Sequence, residues 1–227
     1  MLFTDSGSGR AAQLADELGG EAVDSLADLA TRSDAVVLAV KPAALADVRE
    51  PLAGAPAIVS VLGATPLDRL REAFPGVPVL RTMPTVLVEI RRAVICHAPP
   101  GERESEIAPR LLDLLGTLGR LVEVPDSQLD AATAVMGCSP AYVALFAEAL
   151  AGAGGREGID PPLAKELVLD TFVGTAELLR DREPATVRAA VASPGGSTEA
   201  GLEALAAHRV AEGIEAAVEA SLERMRS

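Results

Sequence analysis

The first half of the chain alternates short apolar runs with segments of helical periodicity. Residues 35–40 and 57–62 are runs rich in Val, Ile, Leu and Ala, a pattern typical of strands buried on both faces of a parallel sheet. Shorter strands are predicted at residues 2–4, 21–23, 77–80, 93–97 and 121–124. Helical segments of roughly ten residues separate them, so this half is predicted to form a doubly wound α/β domain.

The pattern changes near Pro125 and Asp126. After residue 127 the only regular segments are Ala- and Leu-rich stretches of helical character, at residues 129–150, 162–179, 185–190 and 199–226. We therefore predict two domains, residues 1–125 and an all-helical domain at 126–227. Because about 100 residues cannot bury so many apolar helix positions alone, the second domain is expected to dimerise.

Composition narrows the possible partners. The net charge of −13 disfavours nucleic acid and anionic membranes, since both would repel the chain. No run of 18 consecutive apolar residues and no basic N-terminal leader is visible, so a cytoplasmic protein is expected. Cys96 and Cys138 lie too far apart for zinc-type spacing and are read as two reduced thiols.

A glycine-rich turn at residues 193–198 is the strongest candidate for chemistry. Its two adjacent glycines permit left-handed backbone, which directs consecutive amide groups toward one point. The hydroxyls of Ser193, Ser197 and Thr198 and the N-terminus of the next helix add further donors. The turn therefore suits a small carboxylate, although a Ser/Thr-capped connection between two helices gives the same pattern.

A second candidate is the segment Gly7-Ser8-Gly9-Arg10-Ala11-Ala12, which matches the dinucleotide fingerprint G-x-G-x-x-G/A. Asp24 follows at about the distance expected of a ribose-binding acid. The preceding strand is only three residues long, so a solvated Gly/Ser turn is the alternative. Lys41 directly follows the strand at 35–40, where the carboxyl ends of parallel strands border a ligand crevice.

Taken in order, these pieces resemble the pyrroline-5-carboxylate reductase family. The resemblance is carried by residues 33–42, 81–84 (Arg-Thr-Met-Pro), 130–142 and 191–202 (V-A-S-P-G-G-S-T-E-A-G-L). It implies a Rossmann-type domain followed by an all-α dimerisation domain, assembled as a homodimer or as a ring of dimers. It also implies reduction of 1-pyrroline-5-carboxylate to proline, the last step of proline biosynthesis, with hydride from NADPH or NADH.

The resemblance also implies roles for individual residues. Thr198 would lie near the imine nitrogen as the catalytic residue, and the substrate would be bound by Ser193, Gly195, Gly196, Ser197 and Thr198. The cofactor would be lined by Ala39, Val40, Lys41 and Pro42, with Ser25 on the adenosine side and Ser6 near the 2′ position. Asp5 at a strand end favours a free ribose, whereas Ser6, Ser8 and Arg10 suit a 2′-phosphate, so NADP and NAD both stay open.

The sequence departs from the family pattern in three places. Residues 1–5 match the family's second strand, so that the first strand and its glycine-rich loop have no counterpart here and residues 7–12 fall on the 2′-phosphate or ribose loop. The family's Met-Pro-Asn-Thr-Pro reads Met-Pro-Thr-Val-Leu at residues 83–87, and Gly-Ser-Gly-Pro reads Gly-Cys-Ser-Pro at 137–140.

Two explanations fit the first departure. Either the natural protein begins further upstream and is an ordinary enzyme, which we favour, or a short form binds nucleotide poorly and acts as a dimeric binding protein. The chain as given is then expected to bind NADPH no tighter than about millimolar. The change at residues 85–87 leaves open a reductase of another small cyclic imine.

Overall fold

The computed structural model describes residues 1–226. Seven strands lie within these residues: β1 (Leu2–Phe3), β2 (Glu21–Ala22), β3 (Val36–Leu38), β4 (Ile58–Ser60), β5 (Val79–Pro84), β6 (Ala93–His97) and β7 (Gly119–Glu123). β1 and β2 form a parallel pair, and β3 to β7 form a five-stranded sheet in chain order. All neighbours in this sheet are parallel except β5 and β6.

Helices alternate with most of the strands and predominate after β7. Their bounds are α1 (Arg10–Leu18), α2 (Leu26–Arg32), α3 (Leu45–Arg49), α4 (Leu67–Ala73), α5 (Ala108–Gly116), α6 (Leu129–Ala132), α7 (Ser139–Arg156), α8 (Pro161–Leu178), α9 (Pro184–Val191), α10 (Ser197–Ala207) and α11 (Val210–Arg226). Short 3₁₀ turns occur at Pro42–Ala44, Val86–Ile90, Glu102–Glu104 and Asp126–Gln128. The predicted order, a Rossmann-type α/β part followed by an all-α part, is confirmed.

The core lies on both faces of β4. Ile58 packs into a cluster with Leu70 and Phe74, whereas Val59 packs into a second cluster with Leu111 of α5. All three residues of β4 are buried, as the apolar run at residues 57–62 predicts. Burial of both faces explains why this strand shows no polar alternation.

The prediction of two-sided burial is wrong for β3. Val36 and Leu38 are buried, but Val37 between them is 61% exposed. β3 is the first strand of the five-stranded sheet, and the described residues cover only one of its faces. A run of β-branched residues does not distinguish these two environments, because Val suits a strand in either.

Two of the long helices predicted from periodicity are interrupted. A π-helical turn at Thr133–Gly137 separates α6 from α7, close to Pro140, whose missing N–H cannot continue the helical bonding pattern. Arg209 adopts a left-handed conformation with φ of 53° and separates α10 from α11. A single left-handed residue does not interrupt the apolar periodicity on either side of it. The pattern at residues 199–226 therefore predicted one helix where the structure has two.

The chain divides into two compact units. The first comprises Met1–Gly137 together with the C-terminal residues from Arg224 onward, and the second comprises Cys138–Glu223. The second unit is wholly helical and exposes many large apolar side chains, including Leu145 at 64% and Val173 at 61%. The domain boundary at residue 125 stays a prediction.

One helical stretch, Asp126–Arg156, is long and apolar enough to cross a membrane by length and composition alone. The prediction from runs of apolar residues did not find it, because small and polar residues interrupt the stretch. Only 6% of its most apolar window is buried in a single chain. A large apolar surface of this kind commonly marks a contact with another protein or with a membrane.

Candidate functional site

The glycine turn connects α9 to α10. Gly195 has φ of 73°, a left-handed conformation that favours glycine. The next residue, Gly196, is extended and caps α10. Its N–H donates to the carbonyl oxygen of Ser193 at 2.9 Å, which closes the turn.

The amide of Gly195 already binds a carboxylate. It donates to Oε2 of Glu199 at 2.7 Å. Glu199 is the third residue of α10, the position from which a Glu side chain reaches back to the start of its own helix. The Gly195 amide is therefore occupied by a carboxylate of the same chain, and binding of a ligand carboxylate by this turn stays a prediction.

Gly196 has no space for a side chain. A Cβ atom there would lie 2.7 Å from Oγ of Ser193 and 2.9 Å from the Ser193 carbonyl oxygen. The backbone of the turn therefore approaches itself more closely than any other residue type permits. Beyond it, Thr198 is exposed on the first turn of α10, where its hydroxyl can meet a ligand.

The predicted cofactor residues follow β3. Ala39 and Lys41 are exposed, and Val40 and Pro42 are half-buried. Lys41 caps the 3₁₀ turn Pro42–Ala44, and its ammonium forms no salt bridge within the described part of the chain. An unpaired cation at the carboxyl end of a parallel strand is suited to a phosphate or a ribose hydroxyl.

The loop after β1 is organised by a carboxylate of its own. Asp5 Oδ1 accepts from the amides of Gly7 at 2.6 Å and Ser8 at 2.8 Å, and Oδ2 accepts from Ala11 at 2.6 Å. The hydrogen bond from Ala11 is the largest contribution that lowers the pKa of Asp5 below its ordinary value. These contacts use the amides that a pyrophosphate would need, so they oppose the hypothesis that residues 7–12 form the pyrophosphate loop.

The remaining predicted cofactor residues are serines at loop positions. Ser25 caps α2, with its Oγ accepting from the amide of Asp28 at 3.0 Å. Because a hydroxyl has two acceptor sites and one donor, its hydrogen stays available to a ligand. Ser6 is exposed in the loop between Asp5 and Gly7.

Comparison with known proteins decides the family. The model of the pyrroline-5-carboxylate reductase dimerisation family matches residues 126–227. The pyrroline-5-carboxylate reductase of Pseudomonas aeruginosa is 35% identical over 96% of this chain and 82% of its own. That of Synechocystis is 37% identical over 78% of this chain and 68% of its own. The chain belongs to the pyrroline-5-carboxylate reductase family.

Solved structures of pyrroline-5-carboxylate reductases agree with the fold. That from Streptococcus pyogenes is 30% identical and superposes with a TM-score of 0.92, over 99% of this chain and 88% of its own. The Plasmodium falciparum enzyme, solved with NADP bound, is 26% identical with a TM-score of 0.88, over 99% and 86%. The family works with a nicotinamide dinucleotide.

Family membership explains the exposed apolar helices of the second unit. The matched dimerisation region includes Asp126–Arg156, the stretch that meets the length and composition of a membrane span. Oligomerisation gives these side chains a surface to bury against. The predicted self-association is therefore confirmed at the level of the family.

The predicted site residues fall into two groups. Residues 193–198 lie in the second compact unit, and the residues from Asp5 to Pro42 lie in the first. The role of each predicted residue stays a prediction. Sequence reasoning missed the carboxylate of Glu199 altogether, although its place at the third helical position was a usable signal.

The altered segment at residues 83–87 continues from β5. Thr85 is buried, and its Oγ1 accepts from the amide of Val94 at 3.3 Å, so it holds β6 rather than facing solvent. The side chain of Val86 is exposed. The second departure from the family pattern therefore consists of one inward-facing hydroxyl, that of Thr85, and two exposed apolar side chains, Val86 and Leu87.

Proposed function

We propose that this protein reduces the C=N bond of 1-pyrroline-5-carboxylate to give proline, with a nicotinamide dinucleotide as hydride donor. The observation that carries the proposal is the turn before α10, whose Gly195 amide holds a carboxylate at 2.7 Å. Pyrroline-5-carboxylate presents the same group on a small ring. A neighbouring helix N-terminus favours its negative charge.

In this proposal the substrate carboxylate replaces that of Glu199. The amide of Gly195 and the hydroxyls of Ser193 and Ser197 then donate to it, and Gly196, whose own N–H closes the turn on the Ser193 carbonyl, lets the ligand lie against bare backbone. Thr198 is the catalytic residue and lies beside the ring nitrogen. A bound cofactor would provide the hydride that adds to the imine carbon. The Thr198 hydroxyl would give its proton to the ring nitrogen and take one from solvent at the same oxygen, so that charge and atoms balance.

Binding of the cofactor is assigned to residues of the first unit. Ala39 and Val40 provide small, partly apolar side chains against which the cofactor would lie. Lys41 provides a positive charge for its phosphates, in a protein whose net charge of −13 would otherwise repel them. Ser25 lies on the adenosine side and Ser6 near the 2′ position, with NADPH or NADH as the donor. The donor set fits a flat, anionic ligand, because it combines one cation with hydroxyl groups.

We also propose that the protein acts as a cytoplasmic homodimer, with a ring of dimers as the larger assembly. The exposed apolar side chains of α7 and α8, such as Leu145 and Val173, support burial against a second copy. A dimer would remove these side chains from water at about 25 cal/mol per Å².

The test is turnover by the product of the natural gene. Purified protein is mixed with 1-pyrroline-5-carboxylate and reduced dinucleotide, and the loss of nicotinamide absorbance is followed. We expect Thr198→Ala to lower kcat by about 10²- to 10⁴-fold, the contribution typical of a positioned proton donor. Thr186→Ala, which removes an exposed hydroxyl from α9, is the matched control.

Three other outcomes contradict the proposal. Equal turnover in Thr198→Ala and in the parent removes Thr198 from the mechanism. Faster turnover of a six-membered cyclic imine acid assigns the protein to that substrate, as the exposed Val86 in the altered segment allows. Binding of substrate without turnover indicates a non-catalytic dimeric relative.

A further inference from the structure

The loop after β1 carries an anion that is built into the chain. Both carboxylate oxygens of Asp5 are engaged by backbone amides, at 2.6 Å from Gly7, 2.8 Å from Ser8 and 2.6 Å from Ala11. These amides form the entrance to α1, a helix of nine residues. The loop therefore meets the positive end of that helix with a covalently attached negative charge.

The position of this loop is what makes the charge relevant to the cofactor. Asp5 lies two residues after β1, at its carboxyl end, and β1 pairs in parallel with β2. In doubly wound folds dinucleotides bind outside the carboxyl ends of the strands, and an acid after the second strand contacts the ribose hydroxyls. Asp5 is compared with that acid because residues 1–5 resemble the family's second strand. Three of the four lone-pair directions of the Asp5 carboxylate accept backbone amides. Besides the amide of Ala11, the Ser8 hydroxyl also lowers the pKa of Asp5, so a ribose hydroxyl would replace that of Ser8 as the fourth donor.

A 2′-phosphate would have only exposed side chains of the same loop as partners, Arg10 and the hydroxyls of Ser6 and Ser8. It carries about −1.5 to −2 charge near pH 7 and needs free amides or an arginine. The three amides are occupied by Asp5. Arg10 is exposed, and its Nη1 donates along α1 to Oε1 of Gln13 at 3.3 Å.

We infer that Asp5 is a specificity-determining residue that makes this protein select NADH, with its free 2′-hydroxyl, over NADPH. The carboxylate accepts from the ribose hydroxyl and repels the phosphate, and it also closes the amide site that the phosphate would use. The inference rests on the proposed function, since it assumes that the loop faces the cofactor's ribose. It goes beyond that function by choosing between two donors that the family relationship leaves open.

The experiment uses the same protein as the turnover test, the product of the natural gene, and compares its dissociation constants for NADH and NADPH, measured by calorimetry in the absence of substrate. The two ligands differ only at the 2′ position, so every shared contact cancels in the ratio. We expect the parent protein to bind NADH at least about tenfold more tightly. In Asp5→Ser, which frees the three amides and removes the charge, the ratio should shift toward NADPH by at least about tenfold.

Two further variants separate the possible causes. Asp5→Asn keeps an acceptor oxygen for the amides but removes the charge, and we expect an intermediate ratio. Asp16→Asn removes one exposed carboxylate from the same helix and should leave the ratio unchanged. Thermal unfolding of each variant verifies that α1 still forms.

The outcomes distinguish the inference from the proposed function. Equal or tighter binding of NADPH by the parent, together with turnover, overturns the inference alone. An unchanged ratio in Asp5→Ser also overturns it. Binding of neither dinucleotide contradicts the proposed function and the inference together.

Discussion

The guanidinium of Arg81 lies 2.5 Å from the carboxylate of Asp130, measured from Nη2 to Oδ1. Its other terminal nitrogen, Nη1, lies 2.9 Å from Oδ1 of Asp126. Arg81 projects from β5 and is 1% exposed, and its Nε has no hydrogen-bond partner in the described residues. The buried charge therefore depends on two carboxylates at the start of the helical region, and Asp126 also caps α4 by accepting from the amide of Leu67.

We expect Asp130→Ala to destabilise the protein strongly. Removing one partner of a buried ion pair leaves an uncompensated charge, at a cost of ~3–5 kcal/mol. Because Asp130 is itself about a quarter exposed (24%), the lower end of that range applies. The measurement is the urea midpoint of unfolding, with Asp113→Ala at an exposed position of α5 as control. Equal midpoints for the two variants would show that the pair contributes little.

Acid should weaken the fold partly through Glu104. Burial raises the pKa of this carboxyl, but hydrogen bonds from the amides of Val79 and Gly101 and from Arg71 outweigh it and leave the pKa below its ordinary value of 4.5. A depressed pKa contributes stability that is complete above that ordinary value and is lost as pH falls through the folded value. Urea midpoints measured from pH 7 down to pH 3 should therefore fall.

The Glu104→Gln variant tests this origin. It should be less stable than the parent at neutral pH and should show a shallower decline below pH ~4.5, because the carboxylate responsible is gone. Glu102→Gln, which alters an exposed neighbour, is the control and should retain the parent's profile. A parallel decline in the Glu104→Gln variant assigns the acid sensitivity to other groups.

Gly196→Ala should disrupt the turn. The added Cβ would lie 2.9 Å from a backbone oxygen of Ser193, which is not free to move away, and overpacking of this kind costs about 1–3 kcal/mol. We expect KM for the imine substrate to rise as well. Gly201→Ala, in open space on α10, should instead stabilise the helix by roughly 0.5–1 kcal/mol. An unchanged KM in Gly196→Ala would remove the turn from substrate binding.

Charging the exposed face of α7 should dissociate the oligomer. Leu145 is 64% exposed in one chain, and an unpaired carboxylate buried in a subunit contact is costly. We expect Leu145→Glu to shift the protein toward monomer in sedimentation analysis at micromolar concentration. The matched control is Leu114→Glu, which is equally exposed at 65% but lies outside the dimerisation region at residues 126–227. Dissociation by both variants, or by neither, contradicts this assignment.

Local patterns in the sequence predicted most of the fold. β6 occupies the predicted residues, Ala93–His97, and α8 and α9 lie within one or two residues of the predicted helices. Alternating strands and helices followed by Ala-rich helices predicted the change from α/β to all-α. These features depend on apolar periodicity and on glycine and proline, which act over a few residues.

The candidate site was predictable to the extent that its geometry is local. The left-handed Gly195 and the cap at Gly196 follow from two adjacent glycines before a helix. Asp5, two residues before Gly7, is likewise placed to bond the backbone ahead of it. The sequence did not show that each turn binds a carboxylate of the same chain, Glu199 in one and Asp5 in the other. Whether a side chain contacts the backbone or points to solvent depends on its rotamer, which the sequence does not specify.

The sequence by itself determined the order of the strands and helices, the two glycine turns and the family. Tertiary structure alone decided that β3 leaves Val37 open to solvent and that Arg81 finds its partners 45 and 49 residues away. It also decided that β5 and β6 run antiparallel. The reason is that local preferences are encoded within a few residues, whereas burial and charge pairing depend on which distant elements pack together.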